Sequence, residues 1–309
     1  MGNCPLPPWF EAARAAGSMR VIISSDVANE ADDPFAIAHA LLTPAFDVRG
    51  IIAAHYGEAG SSARSAELAH DLLRSMPGVS VPVMEGCPVP LDGLVGGSAA
   101  ETVTVRRLIE EALADDGRPL YVLALGSLTD VACALRVEPA IASRMTVVWV
   151  GGGRYPQGSH EANLARDLTA AREVFASPVE LWQIPSGAYK QLVVSVAELE
   201  LRLSAAGPLG AMLLGHMKRF AADAMDSKRW IMPESWVLGD QAAVGVLLAE
   251  MKGCYRNIPA PSLRDDCRYG APAEGVGART VRVYDAVDTR FILEDLFAKL
   301  MLYSARMGM

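Results

Sequence analysis

The stretch SDVANEADDPFAIAHALL, residues 25–42, joins an apolar run to a helical pattern and holds the carboxylates of Asp26, Glu30, Asp32 and Asp33 between them. An aspartate followed by proline is typical of a helix N-cap with proline at the first helical position, which accounts for one or two of these acids. Carboxylates this close together repel one another unless a cation, a proton or a ligand hydroxyl compensates. Because the cluster offers only oxygen ligands, it favours a hard cation, Ca²⁺ or Mg²⁺. A capped helix start with solvated acids is the alternative.

The same alternation of apolar run and helical pattern recurs along the chain. The apolar runs are residues 21–25, 48–54, 121–125, 146–150 and 179–184. Continuous apolar runs suit strands that are covered on both faces, and helical patterns between them predict βαβ units. The sequence therefore predicts an α/β fold in which helices flank a mostly parallel central sheet, as in Rossmann-like proteins.

No Ser/Pro/Gly-rich linker divides the chain, so we expect a single domain over residues 1–309, with residues 1–19 as an N-terminal extension. Two Gly-rich segments, residues 86–101 and 265–278, are predicted to be irregular surface loops. Residues 194–225 have a helical pattern.

Composition and charge exclude several classes of protein. With a net charge of −8, the chain has no surplus of Lys and Arg to neutralise phosphates, which argues against a nucleic-acid partner. Its five cysteines form no C-x-x-C pair, so neither a zinc knuckle nor a disulfide framework is indicated. The N-terminus lacks a continuous apolar segment, and no apolar stretch reaches a membrane-spanning length of roughly 18 to 20 residues. We therefore expect a soluble cytoplasmic protein without a membrane partner.

Polar groups also follow three other predicted elements. The segment GSLTD, residues 126–130, leaves one strand and offers backbone carbonyls, whereas Glu161 and Asn163 follow another strand through three glycines. Asp240 begins a later helix. Because ligands of an open parallel sheet bind beyond the carboxyl ends of its strands, we expect these groups at the same rim as the acidic stretch. An ordinary turn, a flexible loop and an N-cap are the respective alternatives.

In this order, the motifs resemble the nucleoside hydrolases, the inosine-uridine-preferring N-ribohydrolase superfamily, including its divergent nucleoside-hydrolase-like branch. The strand-DxDPGxDD-helix pattern that opens the family is similar, without gaps, to DVANEADD at residues 26–33. The family's GPLTN segment resembles residues 126–130, and its ExN loop with a D-x-x-A-A helix resembles residues 161–171. Its late HD dipeptide falls on residues 239–240, and the whole resemblance spans residues 20–297.

The resemblance implies a pocket with a divalent ion at its floor, Ca²⁺ in preference to Mg²⁺. The ligands that it implies are the carboxylates of Asp26, Asp33 and Asp240 and the backbone carbonyl of Leu125. Asp32 is then expected to accept a hydrogen bond from a ribose hydroxyl.

Two further residues, Glu161 and Asn163, are implied to bind the far side of the sugar. The partner is accordingly a small-molecule riboside. Family members are commonly dimers or tetramers, so the resemblance also implies a homo-oligomer.

The chain departs from the family's pattern at two catalytic positions. Ala28 stands where the family has its metal-binding general base, and Gly239 stands where it has a histidine often assigned to leaving-group protonation. Alanine can neither bind a metal nor accept a proton. We therefore expect Asp26 or Glu30 to activate water and Asn29 to reach the substrate from the same loop.

The remaining candidates lie on predicted pocket loops. His160 is a candidate catalytic acid or base, and His55 a candidate substrate ligand, with ordinary surface positions as the alternative. The nucleobase pocket is expected to be formed by Arg229, Trp230, Glu234 and Trp236. Trp236 would then stack on the base, although core packing of these tryptophans is an equal alternative.

The leading hypothesis is a Ca²⁺-dependent hydrolase that cleaves the N-glycosidic bond of ribonucleosides or related ribosides. A protein that binds calcium and sugar on the same scaffold but has lost turnover is the alternative, motivated by Ala28 and Gly239. Hydrolysis of another glycoside is a second enzymatic alternative.

Overall fold

The computed structural model describes residues 18–94, 102–226, 234–272 and 279–308. Its strands are β1 Met19–Ser25, β2 Phe46–Ala53, β3 Val83–Glu85, β4 Leu120–Ala124, β5 Thr146–Val150, β6 Glu180–Ile184, β7 Val193–Ser195, β8 Ser235–Val237, β9 Tyr255–Pro259, β10 Pro261–Leu263, β11 Tyr269–Pro272 and β12 Thr280–Tyr284. Eight of them form one sheet in the order β3-β2-β1-β4-β5-β6-β12-β9. In this sheet β9 runs antiparallel to β12, and the other neighbours pair in parallel.

Helices cover both faces of the sheet. The α-helices are Asp33–Leu42, Ser61–Arg74, Val103–Leu113, Thr129–Val137, Ala162–Arg166, Leu168–Ala176, Ser186–Tyr189, Val196–Ser204, Gly207–Asp226, Gln241–Leu248 and Thr289–Arg306, and short 3₁₀ helices span Leu91–Gly93 and Pro139–Ser143. Within β1, Val21 and Ile23 pack into one hydrophobic cluster and Ile22 into the other, because successive side chains of a strand point to opposite faces. This double coverage explains the continuous apolar runs of the sequence.

The predicted fold class is confirmed: the chain is a single α/β domain with a mostly parallel sheet between helices. Residues 1–17 lie outside the described residues, so the N-terminal extension stays a prediction. In the part of the chain that the structure describes, no helix has both the length and the apolar character needed to cross a bilayer.

Two boundaries differ from the predictions. The segment 265–278, predicted to be irregular, contains β11, which pairs with β10. In β11, Tyr269 stacks on Tyr155 of a neighbouring loop, with the ring centroids 4.0 Å apart. Residue 194, predicted to open a helical region, lies in β7, which pairs with β8. In both places pairing with a segment distant in sequence overrides the local pattern. Residues 95–101 and 273–278 of the predicted loops lie outside the described residues.

The order of the strands places three chain segments side by side. Strand β1 pairs in parallel with β4, and β4 pairs in parallel with β5. The carboxyl ends of parallel neighbours meet at one edge of a sheet, so the residues after these strands, Asp26, Leu125 and Gly151, leave from the same edge.

A buried ion-pair network holds the opposite end of β1. The Arg20 side chain donates to the Glu111 carbonyl at 2.5 Å and to the Arg118 carbonyl at 3.1 Å. The buried Glu111 carboxylate lies 3.7 Å from Arg20 Nη1, and both its oxygens accept from Arg49 Nε at 3.2 Å. Each charge of this network has partners, as a buried charge requires.

We expect Glu111→Ala to lower the free energy of unfolding by about 3 kcal/mol, because it removes the buried carboxylate beside the Arg20 guanidinium and leaves only the partly exposed Asp116 at 3.7 Å. Urea unfolding followed by circular dichroism measures the change. The matched control is Glu110→Ala in the same helix, where an exposed glutamate faces Arg107 at 3.7 Å. This control should change the free energy by no more than about 0.5 kcal/mol. Equal effects of the two substitutions would contradict the assignment.

Candidate active site and metal centre

Three carboxylates converge beyond the carboxyl end of β1. Asp32, Asp33 and Asp240 each offer an oxygen, and these oxygens lie within 4.8 Å of one another. Ser25 Oγ donates to Asp33 Oδ1 at 2.5 Å, and the backbone amide of Asp240 donates to Asp32 Oδ2 at 3.3 Å. The acidic stretch of the sequence and the late aspartate therefore meet in space.

Two packed helices set this geometry. Asp33 is the first residue of the helix Asp33–Leu42, and Asp240 directly precedes the helix Gln241–Leu248. The buried His39 joins them, since its Nδ1 lies 2.6 Å from Gln241 Oε1 and its Nε2 lies 2.8 Å from Asp295 Oδ2 in the C-terminal helix. The carboxylates are thus held by the starts of two mutually braced helices.

The cluster is electrostatically strained when it holds neither proton nor cation. Burial, together with repulsion from the Glu30 carboxylate, raises the pKa of Asp32 to about 7. Burial also raises the pKa values of Asp33 and Asp240 well above the usual range, with repulsion from the neighbouring aspartates adding to the effect. A divalent cation would relieve this repulsion, and an all-oxygen donor set suits a hard one. The residues present therefore fit a metal ion.

A small polar cavity opens above the cluster. Its lining residues are Asp26, Asn29, Glu30, Asp32, Asp33, Leu125, Val150, Glu161, Ala162, Asn163, Tyr189 and Asp240. Most of the site residues predicted from the sequence are in this set. The exceptions are His55, His160 and Trp236.

Asp26 is not one of the three carboxylates whose oxygens lie within 4.8 Å of one another, but it is close enough for its charge to raise the pKa of Asp33. Its buried carboxylate has Oδ2 3.5 Å from Arg166 Nε, and its Oδ1 lies so close to Gly126 that a Cβ there would come within 2.6 Å. Burial raises the pKa of Asp26 to about 7, an effect that the Arg166 guanidinium opposes. Glycine at 126 is required because any larger residue would displace this carboxylate.

Glu161 and Asn163 have structural partners in the cavity wall. Glu161 caps the helix Ala162–Arg166 by accepting from the amides of Asn163 and Leu164, and it also accepts from the Gly152 amide at 2.7 Å. Asn163 Nδ2 donates to the Leu125 carbonyl at 2.6 Å and to the Val150 carbonyl at 2.9 Å. One lone pair of the Leu125 carbonyl is therefore already engaged by Asn163.

His55 lies in a buried hydrogen-bond network outside the cavity lining. Its Nδ1 accepts from the Gly57 amide, so Nε2 carries the proton and donates to Thr129 Oγ1 at 2.8 Å. Thr129 in turn donates to Asp167 Oδ2 at 2.6 Å. Burial lowers the pKa of His55, which keeps the imidazole neutral.

The other two predicted residues are also away from the cavity lining. His160 is exposed on the loop after β5. Trp236 is buried, and its ring meets Phe220 edge-on at 5.9 Å, which corresponds to the core-packing alternative. Of the other residues in the predicted nucleobase pocket, Glu234 is exposed and outside the cavity lining, and Arg229 and Trp230 lie outside the described residues.

Two residues near the cavity were missed in the sequence. Arg166 lies within the segment 161–171, at a position that the ExN motif leaves open, and Tyr189 ends the short helix that follows β6. The rule that sites form beyond the carboxyl ends of parallel strands could have drawn attention to Tyr189. No local signal points to the contact between Arg166 and Asp26.

Residues 21–290 match the family described as inosine-uridine preferring nucleoside hydrolase. The chain therefore belongs to that family. The resemblance drawn from the motifs is confirmed, as is the predicted enzyme class, an N-glycosidase of the nucleoside N-ribohydrolase type.

The chain is similar to curated proteins in sequence and to solved structures in fold. The chain is 29% identical over 218 residues to the pyrimidine-specific ribonucleoside hydrolase RihB of Shigella sonnei, which covers 62% of this chain and 67% of the relative. Among solved structures, it is similar in fold to a plant nucleoside hydrolase, with a TM-score of 0.73, 20% identity, and coverage of 92% of this chain and 99% of the other. It is also similar to a purine-preferring ribonucleoside hydrolase from Gardnerella vaginalis, with a TM-score of 0.69, 19% identity, and coverage of 92% and 99%.

The raised pKa values predict how the stability of the metal-free protein depends on pH. Asp32 keeps its proton up to about pH 7 in the folded state but releases it near its ordinary pKa of 3.8 when unfolded. The folded state therefore binds more protons between these values, and its stability falls as pH rises through this window. Urea unfolding with chelator, between about pH 5 and 7.5, should show this decline.

Saturating Ca²⁺ should remove the decline, because metal binding replaces the protons. Asp240→Asn removes one of the repelling charges and should flatten the metal-free curve. A variant curve as steep as that of the wild type would show that the cluster does not cause the pH dependence.

Proposed function

We propose that the protein is a Ca²⁺-dependent hydrolase of the N-glycosidic bond of ribonucleosides or related ribosides, releasing free base and ribose. The observation that carries the proposal is the convergence of Asp32, Asp33 and Asp240 at the floor of a cavity that Glu161 and Asn163 also line. Membership of the nucleoside hydrolase family supports the reaction type. The pyrimidine and purine preferences in the names of the relatives differ, so they support ribonucleosides as a class rather than one base.

Calcium is the ion that we propose for this site. Asp33 and Asp240 would hold it, with the Leu125 carbonyl contributing the lone pair that Asn163 leaves free. An all-oxygen set that includes a backbone carbonyl suits Ca²⁺ better than Mg²⁺, which usually keeps several waters. When bound, the ion would bind the ribose 2′- and 3′-hydroxyls and lower the pKa of the attacking water.

The sugar would be oriented by side chains on both sides of the cavity. Asp32 is partly exposed to the cavity and can accept a hydrogen bond from a ribose hydroxyl. Glu161 and Asn163 lie on the wall built by the loop after β5, where they can bind the far side of the ring. Asn29 lines the cavity from the acidic loop and is a further substrate contact.

Asp26 is the general base that we propose in place of the residue missing at Ala28. Its carboxylate lines the cavity, and its Oδ2 has no hydrogen-bond partner among the described residues. A pKa of about 7 is suited to taking a proton from water near neutral pH. The surrounding carboxylates would stabilise the positive charge that develops on the sugar in the transition state.

Glu30 and His160 are the other catalytic candidates. Glu30 is exposed at the rim of the cavity and is the second candidate for the base. His160 is exposed and outside the cavity lining, so it would reach a leaving group only after a movement of its loop. His55 and Trp236 would contact the substrate only if it extends beyond the cavity.

The alternative is a protein on the same scaffold that binds calcium and sugar without turnover. Ala28 favours it, because an alanine replaces a residue that both binds metal and accepts a proton. Gly239 favours it as well, since glycine cannot protonate a leaving group.

We propose that the protein is a homo-oligomer, dimer or tetramer, as the family resemblance implies, and that it is located in the cytoplasm. Sedimentation of the purified protein would measure the assembly.

We expect the purified protein to release ribose from members of a purine and pyrimidine ribonucleoside panel, and chelator to abolish the release. Asp33→Asn and Asp240→Asn should each lower kcat/KM by about 100-fold or more, because they remove a ligand of the ion that positions the reaction. The matched control is Asp71→Asn, an exposed aspartate paired with Arg74 in the helix Ser61–Arg74. A reducing-sugar assay measures the rates.

In the same assay 2′-deoxyribonucleosides should be cleaved about 10⁴-fold less efficiently, since loss of a bound hydroxyl leaves buried polar groups unpaired. Tight calcium binding without turnover on any riboside would favour the binding protein. Turnover that resists chelator would remove calcium from the mechanism.

Asp26→Asn separates the two roles that Asp26 can have. If Asp26 is the base, kcat falls about 10²- to 10⁴-fold while the calcium affinity measured by calorimetry is unchanged. If it is a metal ligand, calcium affinity falls as it does in Asp33→Asn. The second result would contradict the assignment of Asp26 as the base.

A further inference from the structure

Tyr189 connects the two halves of the proposed site. It ends the short helix Ser186–Tyr189 after β6, lines the cavity, and touches groups on both sides of it. We propose that Tyr189 is a positioning residue of the sugar site, which orients Glu161 through its hydroxyl and closes the cavity wall at Gly239 with its ring. The proposal rests on the proposed function, because it assigns a role within the same sugar site.

The ring of Tyr189 packs directly on the backbone of Gly239. A Cβ added at Gly239 would lie 2.7 Å from Tyr189 Cδ2 and 3.3 Å from Cε2. The same Cβ would lie 3.5 Å from Asp32 Oδ2, so the ring borders the three-carboxylate group. Real Cβ atoms do not approach a carbon to 2.7 Å, and therefore a side chain at 239 and this position of the ring exclude each other.

This exclusion gives a reason for the departure at position 239. A histidine there would need the space that the Tyr189 ring occupies. Glycine at 239 is thus required by the position of the Tyr189 ring in this chain. The ring forms this part of the wall instead of a titratable imidazole.

The hydroxyl of Tyr189 reaches the opposite wall. It donates to Glu161 Oε1 at 3.1 Å. Among the described residues, the other donors to Glu161 are the backbone amides of Gly152, Asn163 and Leu164, so Tyr189 supplies the side-chain contact. Burial, together with the Glu161 carboxylate, raises the pKa of Tyr189, which keeps its proton in place as a donor.

Loss of this hydrogen bond should affect sugar binding rather than the chemical step. A hydrogen bond to a charged group contributes more than one between neutral groups. Its removal leaves Glu161 Oε1 with only the 3.3 Å bond from the Asn163 amide among the described residues, so this oxygen is less well oriented toward the sugar. Asp26 and the three-carboxylate group have no hydrogen bond from the hydroxyl, so the groups proposed for water activation are unchanged.

The first test is Tyr189→Phe, which keeps the ring and removes the hydroxyl. We expect KM for a ribonucleoside to rise about tenfold with kcat nearly unchanged, and the affinity for D-ribose in the presence of Ca²⁺ to fall by a similar factor. The matched control is Tyr303→Phe, which removes a hydroxyl bound to the Pro77 carbonyl and should change neither quantity. A Tyr189→Phe enzyme with wild-type KM and wild-type ribose affinity would overturn the positioning role.

The ribose measurement separates this proposal from the proposed function. If the wild type binds ribose through Tyr189 but cleaves no riboside, the hydrolase assignment fails and the positioning role stands. If the wild type neither binds ribose nor cleaves ribosides, both fail.

The second test is a double-mutant cycle that needs no activity. Gly239→Ala should lower the melting temperature of the wild type, because the new methyl group meets the Tyr189 ring. In a Tyr189→Ala background the same substitution should have little effect, since the ring is absent. An equal loss in both backgrounds would overturn the packing of Tyr189 on Gly239.

Discussion

Repulsion among buried carboxylates is the constraint on which the site depends. Asp32, Asp33 and Asp240 hold oxygens within 4.8 Å of one another, where burial disfavours their charged forms. Such a cluster persists only if the surrounding fold leaves the side chains no room to separate. Here the starts of two helices supply that rigidity, because His39 links Gln241, next to Asp240, to the helix that begins at Asp33. The fold therefore holds the carboxylates in an arrangement that favours the binding of a cation or of protons.

Glu161 and Asn163, which line the cavity, already make hydrogen bonds within the protein. Asn163 binds the carbonyls that end β4 and β5, and Glu161 caps the helix that follows. These bonds fix the two side chains at the cavity before any ligand arrives, which reduces the entropy lost on binding. The structural hydrogen bonds of Glu161 and Asn163 therefore preorganise these two side chains at the cavity.

The two departures from the family pattern have different surroundings. Near Ala28, the Asp26 carboxylate that we propose as the base lies 3.5 Å from Arg166 and packs against Gly126. At Gly239 a side chain is missing, and the ring of Tyr189 fills the space. Asp26 lies two residues before Ala28 in the same loop, whereas Tyr189 comes from a helix distant in sequence from Gly239.

Much of the architecture followed from local patterns in the sequence. Continuous apolar runs between helical patterns defined the parallel sheet, and the rule that parallel strands share a carboxyl edge placed Asp33, Glu161 and their neighbours at one rim. Tertiary structure alone decided which side chains touch there. The Arg166 contact with Asp26 and the Tyr189 contact with Gly239 depend on rotamers and on distances between elements far apart in sequence. A one-dimensional pattern records which face a residue lies on, but not which atom of another element it meets.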